Sequence, residues 1–350
     1  MMDRVTNKRT LADVARVAGV SISTASRALS GSKVVATDTV HLVKEAAAQV
    51  GYAVAAPAQP EHTCTLGMLI ANVVSPFYAT LLQAVEDSAR RHGYHLLLCN
   101  CDYQMRRQQE ALSILTRRRI DGLLVTPIHL EDPALEAVVE SGLPVVQVDR
   151  YAENLHCDIV APDNRRAAYQ TVHFLIEQGY QRIGIVSGPQ THSTARDRLA
   201  GYRAALEDAG LPVVDKYIRM GALTKATAYQ LTSELMDRLD RPDALFTTTL
   251  EMTLGALQAI RDHNLVIPRD IGLVVFDEFE WARLLDPPLT TVEQPVYDMG
   301  AAAADLLIRR IADGQAAYEP VRILFEARLI VRGSTRPQGD PKLEPHPHHR

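Results

Sequence analysis

The chain has 350 residues, 47% of them hydrophobic and 23% charged, with a formal net charge of −5. That length exceeds what one core fills and points to two or three domains of ordinary globular composition. No run of about 18 apolar residues marks a membrane span, and the opening MMDRVTNKRT lacks the apolar stretch of a secretory signal. Cys64, Cys99, Cys101 and Cys157 form no disulfide framework in a chain this long, so a reduced, cytoplasmic setting is expected.

Residues 10–51 read as three short helices. Thr10 followed by Asp13 is a capping-box-like start, and Leu11, Val14, Ala15 and Ala18 follow at helical spacing. Gly19 supplies the turn between two crossed helices. Ser21 is a good N-cap for a second helix over 21–29. Its inner side is small and apolar (Ala25, Ala28, Leu29). Its outer side carries Ile22, Ser23, Ser26 and Arg27, the short polar residues and single Arg that suit a helix in the DNA major groove. Thr37 is placed as cap of a third helix striped by Val40, Val43, Ala47 and Val50 and ended by Gly51. Base contacts are expected from Ile22, Ser23 and Arg27, and phosphate contacts from Thr10, Ser21, Thr24 and Ser26. Residues 1–52 hold seven Lys/Arg against four Asp/Glu, leaving the rest of the chain strongly acidic. A basic head on an acidic body is the balance of a DNA reader joined to a sensor.

Residues 53–65, AVAAPAQPEHTCT, carry two prolines and no apolar stripe and read as a linker. Strands and helices then alternate. Strands are predicted at 66–71, 95–99, 122–126 and 145–149, with helices at 78–92, 104–118 and 133–141 between them. The alternation restarts with helices at 165–178, 195–209, 226–239 and 253–263 and strands at 182–187, 216–220, 244–247 and 272–276. A helix at 297–312 and a strand near 322–331 close the body. Residues 334–350, Pro- and His-rich, are expected to be a disordered tail.

Two successive doubly wound units imply two parallel-sheet lobes with a ligand cleft at the C-terminal ends of the strands. Ser75, Phe77 and Tyr78 follow the first strand, Asp149 and Arg150 the fourth. Arg196 opens a helix after Ser187-Gly188, and Asp277 ends the strand at 272–276. An Asp accepts from two hydroxyls; an Arg offers a planar fork to a carboxylate or diol.

The stretches TLADVARVAGVS, TASRALSG and GY resemble the DNA-binding head of the LacI/GalR family of bacterial regulators. The body resembles that family's periplasmic-binding-protein-like sensor at SPFY (75–78), RRIDGLLVTP (118–127), RIGIVSGP (182–189), RDRLAGYRAAL (196–206) and PPLTTVEQP (287–295). The resemblance implies an all-α helix-turn-helix head at 1–52, a sensor at 66–333, a homodimer on operator DNA, and repression of sugar or sugar-acid catabolism genes. It implies three crossings between lobes, placed near 161, 291 and 321, so that 66–161 joins 292–320 and 162–291 joins 321–333. It matches Arg196 and Asp277 to positions that hold a sugar's hydroxyl or acid groups, and it puts Thr249 and Leu250 where many relatives carry an Asn-Asp pair that meets the ligand. FDEFEWARLLDPPLTTVEQPVYDMG resembles gluconate- and ketogluconate-responsive members, so a sugar acid is the expected effector. The family's hinge helix is not expected here: Gln59 and Glu61 replace its Arg and Leu, and Pro57 and Pro60 oppose a helix.

Two other classes share such a body. A solute-binding protein for sugars would have no DNA-binding head. An α/β enzyme binding a nucleotide or sugar phosphate would show G-x-G-x-x-G or a Walker A sequence, and neither is present. No cofactor and no metal site is expected; Cys99 and Cys101 without a second pair are poor zinc ligands.

Overall fold

The structure, a computed structural model, describes residues 10–29, 35–52, 63–314 and 319–336. The chain divides into two units, 1–62 and 63–350.

The first unit packs α1 (Leu11–Val17), α2 (Ile22–Leu29) and α3 (Thr37–Val50) around a small core. Val14, Ala15, Ala18, Ala25, Ala28, Val43, Ala46 and Ala47 are buried in it. Small side chains let the helices approach closely, and Gly19, at φ +67°, makes the turn that an L side chain resists. At the start of α1 the Asp13 carboxylate accepts from Thr10 N–H (3.0 Å) and Thr10 Oγ1 (2.8 Å). These bonds, the backbone one foremost, hold Asp13 below the usual carboxylate range. Ser21 Oγ accepts from Thr24 N–H at 3.0 Å and so caps α2, which begins one residue later. The third helix begins at Thr37 itself, with Ala36 in the capping position.

The second unit holds two lobes built alike. In lobe 1 the chain runs β1 (Thr65–Ile70), α4 (Pro76–Arg91), β2 (His95–Asn100), α5 (Met105–Arg117), β3 (Gly122–Val125), α6 (Pro133–Glu140), β4 (Val145–Val148) and β5 (Asp158–Pro162). In lobe 2 it runs α7 (Asn164–Glu177), β6 (Ile183–Ser187), α8 (Ser193–Asp208), β7 (Ile218–Met220), α9 (Lys225–Met236), β8 (Ala244–Thr247), α10 (Leu250–Asp262), β9 (Gly272–Phe276) and β10 (Thr290–Glu293). Then α11 (Val296–Asp313) and β11 (Arg322–Phe325) return to lobe 1, and β12 (Arg328–Ile330) to lobe 2. The strand orders are β11-β5-β4-β3-β1-β2 and β12-β10-β9-β8-β6-β7, position for position the same plan. Pairing is parallel throughout except between β10 and β12.

Four expectations need correction. Strands β5 and β10 were not anticipated. The single strand expected near 322–331 is two strands in different sheets, so the last crossing falls at Glu326-Ala327, and β11 belongs to lobe 1 rather than lobe 2. The crossing expected near 291 would cut β10, which pairs with β9; the chain leaves lobe 2 at Gln294-Pro295. Both ends of the body were drawn too tight. Thr63 N–H donates to Asp121 Oδ1 and Thr65 opens β1, so the linker stops earlier than 65. Ser334 is fully buried, donating to Leu273 O and accepting from Thr290 N–H, so the chain at 334–336 is part of lobe 2. The central linker and the residues from 337 onward lie outside the described residues.

Candidate functional site

On the head, α2 presents two unlike faces. Ala25 and Ala28 are buried, while Ile22, Ser23, Ser26 and Arg27 are exposed together on the other side. Ile22 is 55% exposed, an apolar side chain left in water on a helix whose inner face is already packed. Ser21 Oγ lies 2.8 Å from Ser23 Oγ and 2.7 Å from Thr24 Oγ1, a hydroxyl cluster at the helix N-terminus, where backbone N–H groups favour a phosphate. Thr10 is exposed at the start of α1.

In the body, the two lobes face each other across a cavity at the C-terminal ends of their strands. It is lined by Ser75, Phe77, Tyr78, Tyr103, Asp149 and Arg150 from lobe 1, by Thr194, Arg198, Thr249, Leu250, Glu251 and Asp277 from lobe 2, and by Gln294 at a crossing. Ser75 is the N-cap residue of α4 and sets Phe77 and Tyr78 in its first turn, their rings edge-on at 5.1 Å. Tyr78 Oη donates to Asp149 Oδ2 at 3.0 Å. Asp149 and Asp277 occupy the same place in the two lobes, just past β4 and β9, and both take left-handed backbone, φ +68° and +80°. That conformation is uncommon for any residue but Gly and is concentrated at functional sites.

Charge in the cavity is mixed and poorly solvated. Arg150 is buried; its Nε lies 3.6 Å from Asp149 Oδ2 and makes no hydrogen bond among the described residues. Its guanidinium sits 5.0 Å from the centre of the Tyr103 ring. Burial works against the Arg150 charge, but Tyr78, Tyr103 and Asp149 outweigh it and hold the group above its usual range. Arg198, also buried, donates from Nε to Asn164 Oδ1 (2.8 Å) and from Nη1 to Thr248 O, and lies over the Phe276 ring. Burial pulls Arg198 down while Asp277 and Asp149 oppose it. Burial pushes the Asp277 carboxyl up to about 6, against the pull of Arg198 and of a hydrogen bond from Gln294. His192 is held down at about 3 by burial first, then by Arg150 and His129.

Six of the seven residues expected at the ligand come together: Ser75, Phe77, Tyr78, Arg150, Thr249 and Asp277 line this cavity. Arg196 does not. It sits on the far side of α8, paired with Glu153 at 2.7 Å, and Arg198 takes the inward place. Thr249 spends its hydroxyl as N-cap of α10, accepting from Met252 N–H. The acceptor missing there is supplied two residues on by Glu251. Tyr103, Thr194, Glu251 and Gln294 escaped the sequence reading. Tyr103 alone gave a signal, as an aromatic directly past the second strand.

A larger cavity lies elsewhere, an open groove of about 690 Å³ on lobe 2 between Leu254, Leu257, Val266 and Leu285. Its lining is mostly aliphatic, with no convergence of buried polar groups, so it is not where a polar effector would be held.

Comparison with known proteins matches both parts of the chain. The profile described as "Bacterial regulatory proteins, lacI family" matches residues 10–54, and "Periplasmic binding proteins and sugar binding domain of LacI family" matches residues 63–331. The chain belongs to the LacI family. It is 34% identical over 329 residues to the ribose operon repressor of Escherichia coli, covering 93% of this chain and 99% of that one. It is 31% identical to the repressor PurR of Pasteurella multocida, over 93% of this chain and 98% of that one. Among solved structures, the transcriptional regulator CelR in complex with cellobiose superposes with a TM-score of 0.72 at 31% identity, over 93% of this chain and 99% of that one. A LacI-family chain with this head and sensor is a DNA-binding, effector-responsive transcriptional repressor that acts as a dimer, and its relatives are repressors rather than enzymes. Among the described residues no helix is long and apolar enough to cross a membrane.

Proposed function

We propose that this repressor answers to a small sugar acid held between the lobes, with Arg150 and Arg198 facing the acid group and Asp149, Asp277 and Glu251 the hydroxyls. The observation that carries the reading is Arg150: a buried guanidinium lining the cavity, whose Nε makes no hydrogen bond among the described residues and lies 3.6 Å from Asp149 Oδ2. A buried donor left unpaired costs on the order of 1–3 kcal/mol, and an anionic ligand would repay it. Phe77 and Tyr103 offer ring faces to the carbon skeleton. Free space among these side chains is only about 40 Å³, room for a water or so. A sugar acid would therefore enter as the lobes part.

On DNA, Ile22, Ser23 and Arg27 would read base edges while Thr10, Ser21, Thr24 and Ser26 position phosphates, one head per half-site of a near-palindrome. The resemblance to gluconate-responsive members supports the acid, and the altered linker supports a looser coupling of heads to sensor than a hinge helix gives.

The test is a calorimetric and thermal-shift series of gluconate-type acids against neutral sugars. An acid at a hundred times its dissociation constant should add about 2.7 kcal/mol of stability. Tight binding of a neutral hexose with none of any acid would refute the reading. For the head, Arg27→Ala should lower operator affinity by about 1–3 kcal/mol if its contact is bidentate; an equal loss on random DNA would remove its base-reading role.

A further inference from the structure

The strands of lobe 1 run parallel, so their N-terminal ends gather at the end of the lobe opposite the cavity, and the helices between them finish there. The chain enters the body at this end. Thr63 donates from N–H to Asp121 Oδ1 and from Oγ1 to Arg119 O, both at 3.0 Å, and Thr65 N–H donates to Asp121 Oδ2 at 3.3 Å. Asp121, the one acid between Ser113 and Gly122, is thereby spent on the entering chain. Beside it α5 finishes on three successive arginines, Arg117, Arg118 and Arg119, all exposed. His95, also exposed, opens β2 alongside Thr65. A cation suits a helix C-terminus, and Arg117 serves there, donating from Nε to Ser113 O at 3.0 Å. Arg118 and Arg119 are surplus to that role, and neither side chain pairs with a carboxylate among the described residues. Other arginines at the ends of these helices are matched. Arg106 pairs with Glu110 and Arg107 with Asp102, both at 3.2 Å, where α5 starts. Where α4 finishes, Arg90 pairs with Glu86 and Arg91 stands 4.0 Å from Asp305.

We propose that Arg118 and Arg119 make a second DNA contact, on the sensor body, gripping backbone phosphates of the duplex that the head reads. A guanidinium fork fits a phosphate, and a phosphate contact asks nothing of the base sequence. Two arginines left without carboxylates, in a body whose charge is otherwise strongly negative, make a local surface that attracts a polyanion. The site of the patch selects DNA among polyanions. Ten residues, 53–62, separate Tyr52, which packs on the core of the head, from Thr63, which is bonded beside the patch. Fully extended, that stretch spans at most about 40 Å. DNA held by the head therefore stays within chain reach of Arg118 and Arg119, and a contact too weak to form alone becomes intramolecular. An acidic protein would have to reach the same patch from free solution. The contact adds to those of the head and does not depend on the chemistry of the effector.

The salt dependence of DNA binding by the full-length protein tests it, with a random-sequence duplex and an operator duplex selected from a random library. Each lost phosphate contact lowers the slope of log affinity against log salt by about 0.9. The double variant Arg118→Gln, Arg119→Gln should lower it by about 2 or more. Its deficit against wild type should then be about tenfold larger at 50 mM than at 200 mM salt. The loss should be equal on both duplexes, so the ratio of operator to random affinity stays that of wild type. Arg118→Lys with Arg119→Lys, which keeps the charge, should restore most of the slope. Arg106→Gln with Arg107→Gln removes the same charge about 18 Å away along α5, beyond a Debye length at 0.1 M, and should leave the slope unchanged. An unchanged slope in the Arg118, Arg119 double variant would overturn the contact. So would a loss confined to the operator duplex, which would mean that the arginines act through the head rather than on phosphates. Failure of base reading by the head shows separately, as equal affinity of the wild type for the two duplexes.

Discussion

Arg196 and Arg198 stand two residues apart on α8 and face opposite ways, since successive helical residues turn by about 100°. The buried stripe of α8 runs Ala195, Arg198, Leu199, Tyr202, Ala205, Leu206, with Arg198 in it and Arg196 outside it. Arg198→Ala should abolish the effector response and also weaken folding, because Asn164 Oδ1 and Thr248 O lose a charged donor; about 2–4 kcal/mol is expected in urea unfolding. Arg196→Ala should leave cavity binding intact, which effector titration checks. A second prediction concerns acid. His192, packed against Arg150, His129 and Tyr103, is held at about 3 against an ordinary 6.5, so the unfolded or opened chain binds its proton more readily. That contribution to stability is complete above 6.5 and is lost as pH falls towards 3. Asp277 has the opposite sign: with its carboxyl raised from 3.8 to about 6, the folded form holds the proton, and stability falls as pH rises between those values. The two offset each other between about 4 and 6. In His192→Gln the His192 slope is gone and the Asp277 slope stays, so relative to wild type its urea midpoint should gain as pH drops from 6 to 4. A parallel pair of curves would exclude His192.

Helix pairs in the body meet at glycines. A Cβ on Gly201 of α8 would stand 2.1 Å from Arg165 O of α7, and one on Gly255 of α10 would stand 2.5 Å from Lys225 O of α9. Backbone cannot yield as a side-chain tip can, so Gly201→Ala should cost about 1–3 kcal/mol in unfolding and disturb α8, which carries Arg198, Ser193 and Asp197. These helices were legible in the sequence because each keeps an apolar stripe, and the long central strands because they are continuous apolar runs such as 66–70 and 272–276. Strand β10 was not, since it reads TTVE; Thr290 and Thr291 are nonetheless fully buried, their hydroxyls spent on Arg332 O and Glu278. Polar residues satisfied by partners distant in sequence leave no local pattern. The same reason hid Gln294 and Glu251, which reach the cavity only through the crossing and the start of α10. Arg198 was different: its place in the apolar stripe was readable, and the motif match drew attention to its neighbour instead.

At the scale of the whole molecule, a dimer needs a surface that two copies can bury. The groove between α10 and the segment around Leu285 exposes Leu254, Val266 and Leu285 together, an apolar strip that a second copy could cover. We expect a second protomer there. Leu285→Glu should convert the dimer to monomer in sedimentation, with thermal stability of each lobe little changed and operator affinity falling steeply because one head reads only one half-site. A dimer that survives Leu285→Glu and Leu254→Arg together would place the interface elsewhere.

The order in which the strands enter the sheets bears on synthesis. Lobe 1 has its first five strands by Pro162, yet α11 and β11, which complete its core and edge, come only after all of lobe 2 up to β10 has been made. Lobe 2 in turn waits for β12 and for Ser334, which ties β9 to the start of β10. Neither lobe can close its sheet until β11 and β12 have been made. The head has no such debt: its core is complete by Tyr52. A nascent chain therefore carries a finished DNA reader long before it carries a finished sensor, and the two lobes of that sensor mature almost together, once β12 and Ser334 have been made.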